Sequence, residues 1–173
     1  MSVRGVFHTG LTVSDLDRSL AFYRDLLGLE LVRQWESSQS YLRTVVGFPD
    51  AELRIALLRV PATDGGISGH HLELLEYRQP RGTRGDPSTC NPGIAHVAFV
   101  VADLDATYRH LSAHGVRFRS APVEITHGPN TGAKAVYLRD PDDITIELVQ
   151  PAPARASDAP SSVAAASPER HRA

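Results

Sequence analysis

Two stretches of the chain decide its fold: FHTGLTVSDLD at Phe7–Asp17 and AHVAFVVADLD at Ala95–Asp105. Aligned on His8 and His96, five of the ten positions that end at Asp17 and Asp105 are identical. The likeness runs on. Each stretch leads into a helical segment, LDRSLAFYRDLLG or LDATYRHLSAHG, that ends in a glycine, Gly28 or Gly115. Each half closes on a strand with a glutamate between aliphatics, HLELLEY or TIELVQP. A fixed sequence order repeated once marks an internal duplication.

Alternating apolar residues predict first strands at about Gly5–Val13 and Ile94–Ala102. Asp15 (or Ser14) and Asp103 are the N-caps of the helices that follow, because their oxygens can accept from the free N–H groups of a first turn. Gly28 and Gly115 suit the left-handed residue just past a helix end. Further strands are expected near Leu29–Trp35, Glu52–Val60, His71–Tyr77, Arg117–Arg119, Ala133–Leu138 and Ile144–Gln150. The segment Tyr41–Phe48 reads equally as strand or helical turn. Each half is thus β-α-β-β-β. Module 1 covers about residues 3–78 and module 2 about 94–151, joined by a proline- and glycine-rich linker at 79–93. Residues 1–151 form one domain. The segment 152–173 is rich in Ala, Pro and Ser and is expected to be disordered, since it has too little apolar surface to offset the entropy of ordering.

Side chains on a strand alternate between its faces. His8 shares a face with Val6, Gly10 and Thr12, and His96 with Ile94, Ala98 and Val100. The small residue two places on, Gly10 or Ala98, leaves room beside each histidine. Glu73 and Glu147 each sit between aliphatics that face the core. A carboxylate turned inward there is costly unless it is paired or bound to a cation. Two imidazoles and two carboxylates in symmetric pairs make a borderline ligand set for one divalent ion: Zn, Ni, Co, Mn or Fe(II). His8, Glu73, His96 and Glu147 are therefore the candidate metal ligands.

The rest of the composition is restrictive. The 173 residues carry a net charge of −2, with 42% hydrophobic and 22% charged residues, as expected of a soluble domain without a field for nucleic acid or anionic membrane. The first residues lack a signal-peptide core, no apolar run reaches the roughly 20 residues of a membrane span, and Cys90 is the single cysteine. A cytoplasmic protein is expected, with no nucleic-acid or membrane partner. No glycine pattern for a nucleotide cofactor is present.

HTGLTVSDLDRSLAFYRDLLGLEL, HLELLEY, IAHVAFVVADLD and AVYLRDPDDITIELVQP together resemble the vicinal oxygen chelate superfamily, which includes glyoxalase I, methylmalonyl-CoA epimerase, extradiol dioxygenases and bleomycin-binding proteins. The resemblance covers about Val3–Pro151. It implies an α+β fold, two paired βαβββ modules forming an open cupped mixed sheet, around one metal held by the four residues above. It implies a small-molecule substrate and a homodimer. It also implies a divalent-metal-dependent isomerase or epimerase, or a glyoxalase-type lyase, acting by proton transfer beside a carbonyl. The substrate would be a cyclitol- or sugar-like ketone, a CoA thioester or a thiohemiacetal. Glu147 or Glu73 would be the base. An Fe(II) extradiol dioxygenase and a non-enzymatic binding or resistance protein are the alternatives. His71, on the face of Glu73, and His127 and Lys134, in or beside the run THGPNTGAK, are candidate substrate contacts. Trp35 and Tyr41 are read as packing residues. One departure stands out: DPDD replaces the usual D-P-D-G turn, putting Asp143 where a left-handed glycine is expected.

Overall fold

The computed structural model describes residues 2–61 and 71–153. Apart from residues 152 and 153, the tail expected to be disordered lies outside them. Module 1 runs β1 (His8–Val13), α1 (Leu16–Leu20), β2 (Glu30–Ser37), α2 (Ser40–Val46), β3 (Glu52–Arg59) and β4 (His71–Gln79). Module 2 runs β5 (His96–Val100), α3 (Leu104–Ala113), β6 (Arg117–Phe118), β7 (Val123–Glu124), β8 (Lys134–Arg139) and β9 (Thr145–Gln150). The ambiguous segment resolves as helix α2. The short strand β7 is an addition to the expected set. Helix α1 continues as a π-helical stretch, Ala21–Leu26, in which the Leu27 N–H donates to the Phe22 carbonyl at 3.0 Å.

The modules form two mixed sheets, ordered β1-β4-β3-β2 and β5-β9-β8-β6, with β7 also on β8. In each, the first and last strands pair in parallel and the other pairs are antiparallel. Parallel pairing needs a crossover, and the helix supplies it. Asp15 accepts from the Arg18 N–H at 3.0 Å and Asp103 from the Ala106 N–H at 2.9 Å, so both aspartates cap as expected. The closing strands help. Glu76 Oε2 accepts from the Leu16 N–H at 3.2 Å, and Gln150 Oε1 from the Leu104 N–H at 2.8 Å. Each helix start is thus tied to the last strand of its own module. Gly28 (φ 78°) and Gly115 (φ 79°) occupy the left-handed positions after their helices.

The main core is shared. Leu16, Leu20, Phe22, Tyr23, Leu72 and Leu74 of module 1 pack in one cluster with Leu104, Leu111, Leu138, Ile146 and Leu148 of module 2. A smaller cluster beneath α2 holds Leu42, Ala51, Leu53 and Ile55, with Trp35 and Tyr77 against it. Trp35 packs as expected, but Tyr41 does not: on the outer face of α2 it is 64% exposed. Among the described residues no helix is long and apolar enough to cross a membrane.

A polar seam locks the modules together around the DPDD turn. The Tyr23 hydroxyl donates to Asp140 at 2.9 Å, and both side chains are buried. Asp142 accepts from the Ser14 N–H (2.8 Å), the Ser14 hydroxyl (2.6 Å) and Arg18 (2.7 Å). Asp143, at φ 64° as the departure required, pairs with Arg84 at 2.6 Å and with Arg117. Burial pushes the Asp142 carboxyl up, but the Ser14 hydrogen bonds and the Arg18 and Arg84 charges outweigh it and hold the carboxyl below the ordinary 3.8. A lowered carboxyl contributes its stability above the unfolded value and loses it as pH falls through the folded one. Asp142→Ala should therefore destabilise the fold by about 1–3 kcal/mol at neutral pH. In thermal or urea unfolding that difference should shrink as the pH drops below 3.8.

Candidate metal centre

The register of the parallel strands builds the same corner twice. On β1 and β4, His8 lies beside His71 and Gly10 beside Glu73. On β5 and β9, His96 lies beside Thr145 and Ala98 beside Glu147. Each glutamate thus stands across from the small residue and diagonally from the histidine. Such diagonal neighbours are within reach of long side chains. The result is His8 Nε2 at 3.4 Å from Glu73 Oε2 and His96 Nε2 at 3.1 Å from Glu147 Oε2. All four side chains are partly exposed. They lie on the sheet faces opposite the shared core, to which Leu72, Leu74, Ile146 and Leu148 belong.

These spacings suit a shared cation. Two ligands each roughly 2.1 Å from one ion lie about 3.0 Å apart at right angles and about 3.4 Å apart at the tetrahedral angle. The donor set is that of a borderline divalent metal. His8 Nδ1 is buried without a hydrogen-bond partner among the described residues, so Nε2 is the only nitrogen of that ring already facing another polar group.

The four candidate ligands fall into two pairs. The four side chains do not meet within one chain: among the described residues there is no group of three or more His, Cys, Asp or Glu that could hold an ion. Each module supplies a pair. The packing gives the reason. The modules join through their helix-bearing faces, which leaves each pair on the other face of its sheet. Both histidines also sit on edge strands, because among the described residues β1 and β5 each pair with a neighbour on one side.

His71 lies across from His8, on the face of Glu73, and is half-buried. His127 lies in the connection between β7 and β8, where its Nδ1 is 2.9 Å from the Thr126 hydroxyl. Lys134 faces away from Glu147. It shares a face of β8 with the buried Val136 and Leu138, and its Nζ pairs with Asp105 at 2.5 Å.

The structure adds Tyr137, which sequence reasoning passed over. It lies across from Glu147 on β8, with its hydroxyl 3.5 Å from His96 Nε2. Burial raises its phenol above the ordinary 10.0 and the Glu147 charge adds to the shift, so it is a neutral O–H donor at physiological pH. Its place in AVYLR, alternating with the buried Val136 and Leu138, was the available signal.

With this geometry in hand, comparison with known proteins is informative. The sequence profile of the glyoxalase/bleomycin resistance protein/dioxygenase superfamily matches residues 5–148. A 2-epi-5-epi-valiolone epimerase from Actinomyces sp. is 36% identical over 149 residues, 83% of this chain and 78% of that protein. A lactoylglutathione lyase from Haemophilus influenzae is 29% identical over 152 residues, 84% of this chain and 91% of that one. Among solved structures, a glyoxalase family protein from Bacillus cereus superposes with a TM-score of 0.74 at 21% identity. The match covers 88% of this chain and 97% of that one. Profile, relatives and duplicated βαβββ fold agree, and the chain belongs to the glyoxalase/bleomycin resistance protein/dioxygenase superfamily.

Proposed function

We propose that the protein is a divalent-metal-dependent epimerase acting beside the carbonyl of a small polyhydroxylated, cyclitol-like ketone, and that its centre is completed by a second copy of the chain. The carrying observation is the pair of matched His–Glu corners. Each has the spacing of two ligands to one ion, and each is two ligands short of a full set. The 36% identity to a 2-epi-5-epi-valiolone epimerase supports the reaction class. Likeness to lactoylglutathione lyases fits the same chemistry, since both reactions move a proton next to a carbonyl.

In the proposed dimer, the edge carrying His8 and Glu73 on one protomer meets the edge carrying His96 and Glu147 on its partner. Both edges expose apolar residues. Phe7, just before β1, is 78% exposed, and Val100 on β5 is 52% exposed. Burying such residues against a second copy would remove apolar surface from water. The cation these four residues would hold supplies Lewis-acid stabilisation of charge developing on the substrate carbonyl oxygen.

The chain's own groups do the rest. A carboxylate oxygen of Glu147 or Glu73 accepts the proton from the carbon beside the carbonyl. The other glutamate, freed from the cation, passes a solvent proton to the opposite face and so inverts that carbon. Exchange with solvent resets the two carboxyls. A positioned acid or base of this kind contributes on the order of 10²–10⁴ in rate. As ligands, the histidines would offer the Nε2 lone pair to the cation.

Protein purified without chelators should carry a divalent ion by elemental analysis, and His96→Ala should lose both the ion and activity. With metal-replete protein in heavy water, a cyclitol-like ketone should gain deuterium at the carbon beside its carbonyl. A substrate that turns over with no label from solvent would sink the proton-transfer reading.

The shared centre has its own test. His8→Ala and His96→Ala should each be inactive alone. When the two are unfolded and refolded together, random pairing makes half of the dimers mixed, each with one of its two centres intact. About a quarter of wild-type activity should return. No recovery would place the centre within one chain.

A further inference from the structure

A row of side chains crosses the ligand-bearing face of each sheet, and both rows end in an arginine. Residues directly opposite on paired strands share a face. In module 1 the row runs Gly10, Glu73, Leu57 and Arg33, from β1 to β2. In module 2 it runs Ala98, Glu147 and Tyr137. There the Arg119 N–H donates to the Tyr137 carbonyl at 2.8 Å, which extends the β6 register by one residue and sets Arg119 across from Tyr137. Arg33 lies five residues past Gly28 and Arg119 four past Gly115. The irregularity in β2 between Leu31 and Arg33 absorbs the extra residue.

Neither arginine has its charge answered within the fold. The other arginines on these faces are engaged. Arg59 pairs with Glu30 at 2.6 Å and Arg117 with Asp143. Arg139 donates to the Thr145 hydroxyl at 2.7 Å and to the Pro87 carbonyl at 3.1 Å. Among the described residues, Arg33 and Arg119 have no hydrogen-bond or ion-pair partner for their side chains, and both are exposed. The Arg33 guanidinium lies over the Trp35 ring, 5.3 Å from its centroid. A guanidinium held flat on an indole keeps its in-plane N–H donors free for a pair of oxygens. In module 2, burial and the neighbouring Arg119 charge both push the Arg139 guanidinium down, so the Arg119 charge is felt across that face.

We propose that Arg33 and Arg119 anchor an oxyanion of the substrate, one at each rim of the shared centre. The ligand is then a polyhydroxylated ketone that also carries a phosphate ester or a carboxylate. This deepens the reading above and rests on it. Neighbouring strands lie about 4.8 Å apart, so each arginine's backbone stands about 10 Å from that of its glutamate. Both side chains reach back over this span, which leaves room for one small ring between anion and carbonyl. In the assembled centre, Arg33 of one protomer and the partner's Arg119 face it from opposite rims. Their charges draw an anionic ligand toward the cup. Binding energy gained at the anion, remote from the reacting carbon, holds that carbon against the glutamates.

The test uses full-length protein loaded with Zn(II) at fixed ionic strength and three probes with the same two-oxygen head: acetohydroxamate, succinic monohydroxamate and phosphoglycolohydroxamate. Zinc content is read by elemental analysis and affinity by calorimetry. Wild type should bind at least one anionic probe about tenfold or more tighter than acetohydroxamate, and the probe that gains more identifies the anion. In the Arg33→Gln/Arg119→Gln double variant that gain should fall to about twofold or less, with zinc content and acetohydroxamate affinity unchanged. The control Arg81→Gln/Arg109→Gln loses the same charge from the linker and from α3, and should keep most of the gain. Wild type that binds all three probes equally would overturn the arginine assignment and leave the metal centre standing. Equal loss in the control, or loss of zinc from the Arg33→Gln/Arg119→Gln variant, would overturn it too. Wild-type protein that takes up neither zinc nor acetohydroxamate would overturn the underlying function as well.

Discussion

Everything in this molecule depends on the parallel pairing of the first and last strand in each module. That pairing sets Gly10 beside Glu73 and Ala98 beside Glu147, which leaves a gap on one face that a longer side chain would fill. Histidine and glutamate reach across it diagonally. The Cβ of an alanine at Gly10 would meet the end of Leu75 at an ordinary contact distance of 3.4 Å, and module 2 carries Ala98 at the same place. The same two strands hold the helix. Glu76 and Gln150 extend from the closing strands to the free N–H groups of Leu16 and Leu104. Strand pairing, helix entry and the setting of histidine beside glutamate are therefore one arrangement made twice.

Much of this was legible because a strand's period of two carries direction as well as position. Once His8 and His96 were matched, parity set each histidine on the face of a small residue, Gly10 or Ala98, and the sequence matched Glu73 to Glu147 between core-facing aliphatics. Glu76 has the opposite parity to Glu73, and on the other face it bonds to the helix start and to Arg54. The left-handed backbone at Asp143 was legible too, because the turn sequence demands it whatever follows. Lys134 turns away from Glu147 and pairs with Asp105. A basic residue beside a glycine-rich loop was weighed for its charge, yet its alternation with Val136 and Leu138 already put it on the core side. Tyr41 failed otherwise: the helical alternative for its segment turns it outward, while Leu42 takes the buried place.

How the two corners relate in space was not legible. Periodicity fixes which way a side chain faces within a sheet, but not how one sheet lies against another. That is decided by the core, where Leu16, Leu20 and Tyr23 meet Leu104, Leu111 and Leu138, and by the charged seam at Asp140, Asp142 and Asp143. The aspartate that replaces glycine in the turn illustrates the point. Locally it is a mild strain at φ 64°. Across the seam it is an acceptor for Arg84 and Arg117, and no local rule could have foreseen either partner.

The same packing bears on how activity and association are coupled in the proposed enzyme. A core built between helix-bearing faces leaves β1 and β5, among the described residues, each at one edge of its sheet with apolar neighbours exposed. Such edges are a liability unless they are covered. Here each also carries half a ligand set. Covering both edges with a second copy would relieve the liability and complete the chemistry in one step. A cation held by four side chains of two chains would in turn stabilise the association, because it binds the assembled state alone. Metal affinity and dimer affinity then become a single linked equilibrium. Dilution should weaken cation binding, and a chelator should promote dissociation, with no change in the fold of either module.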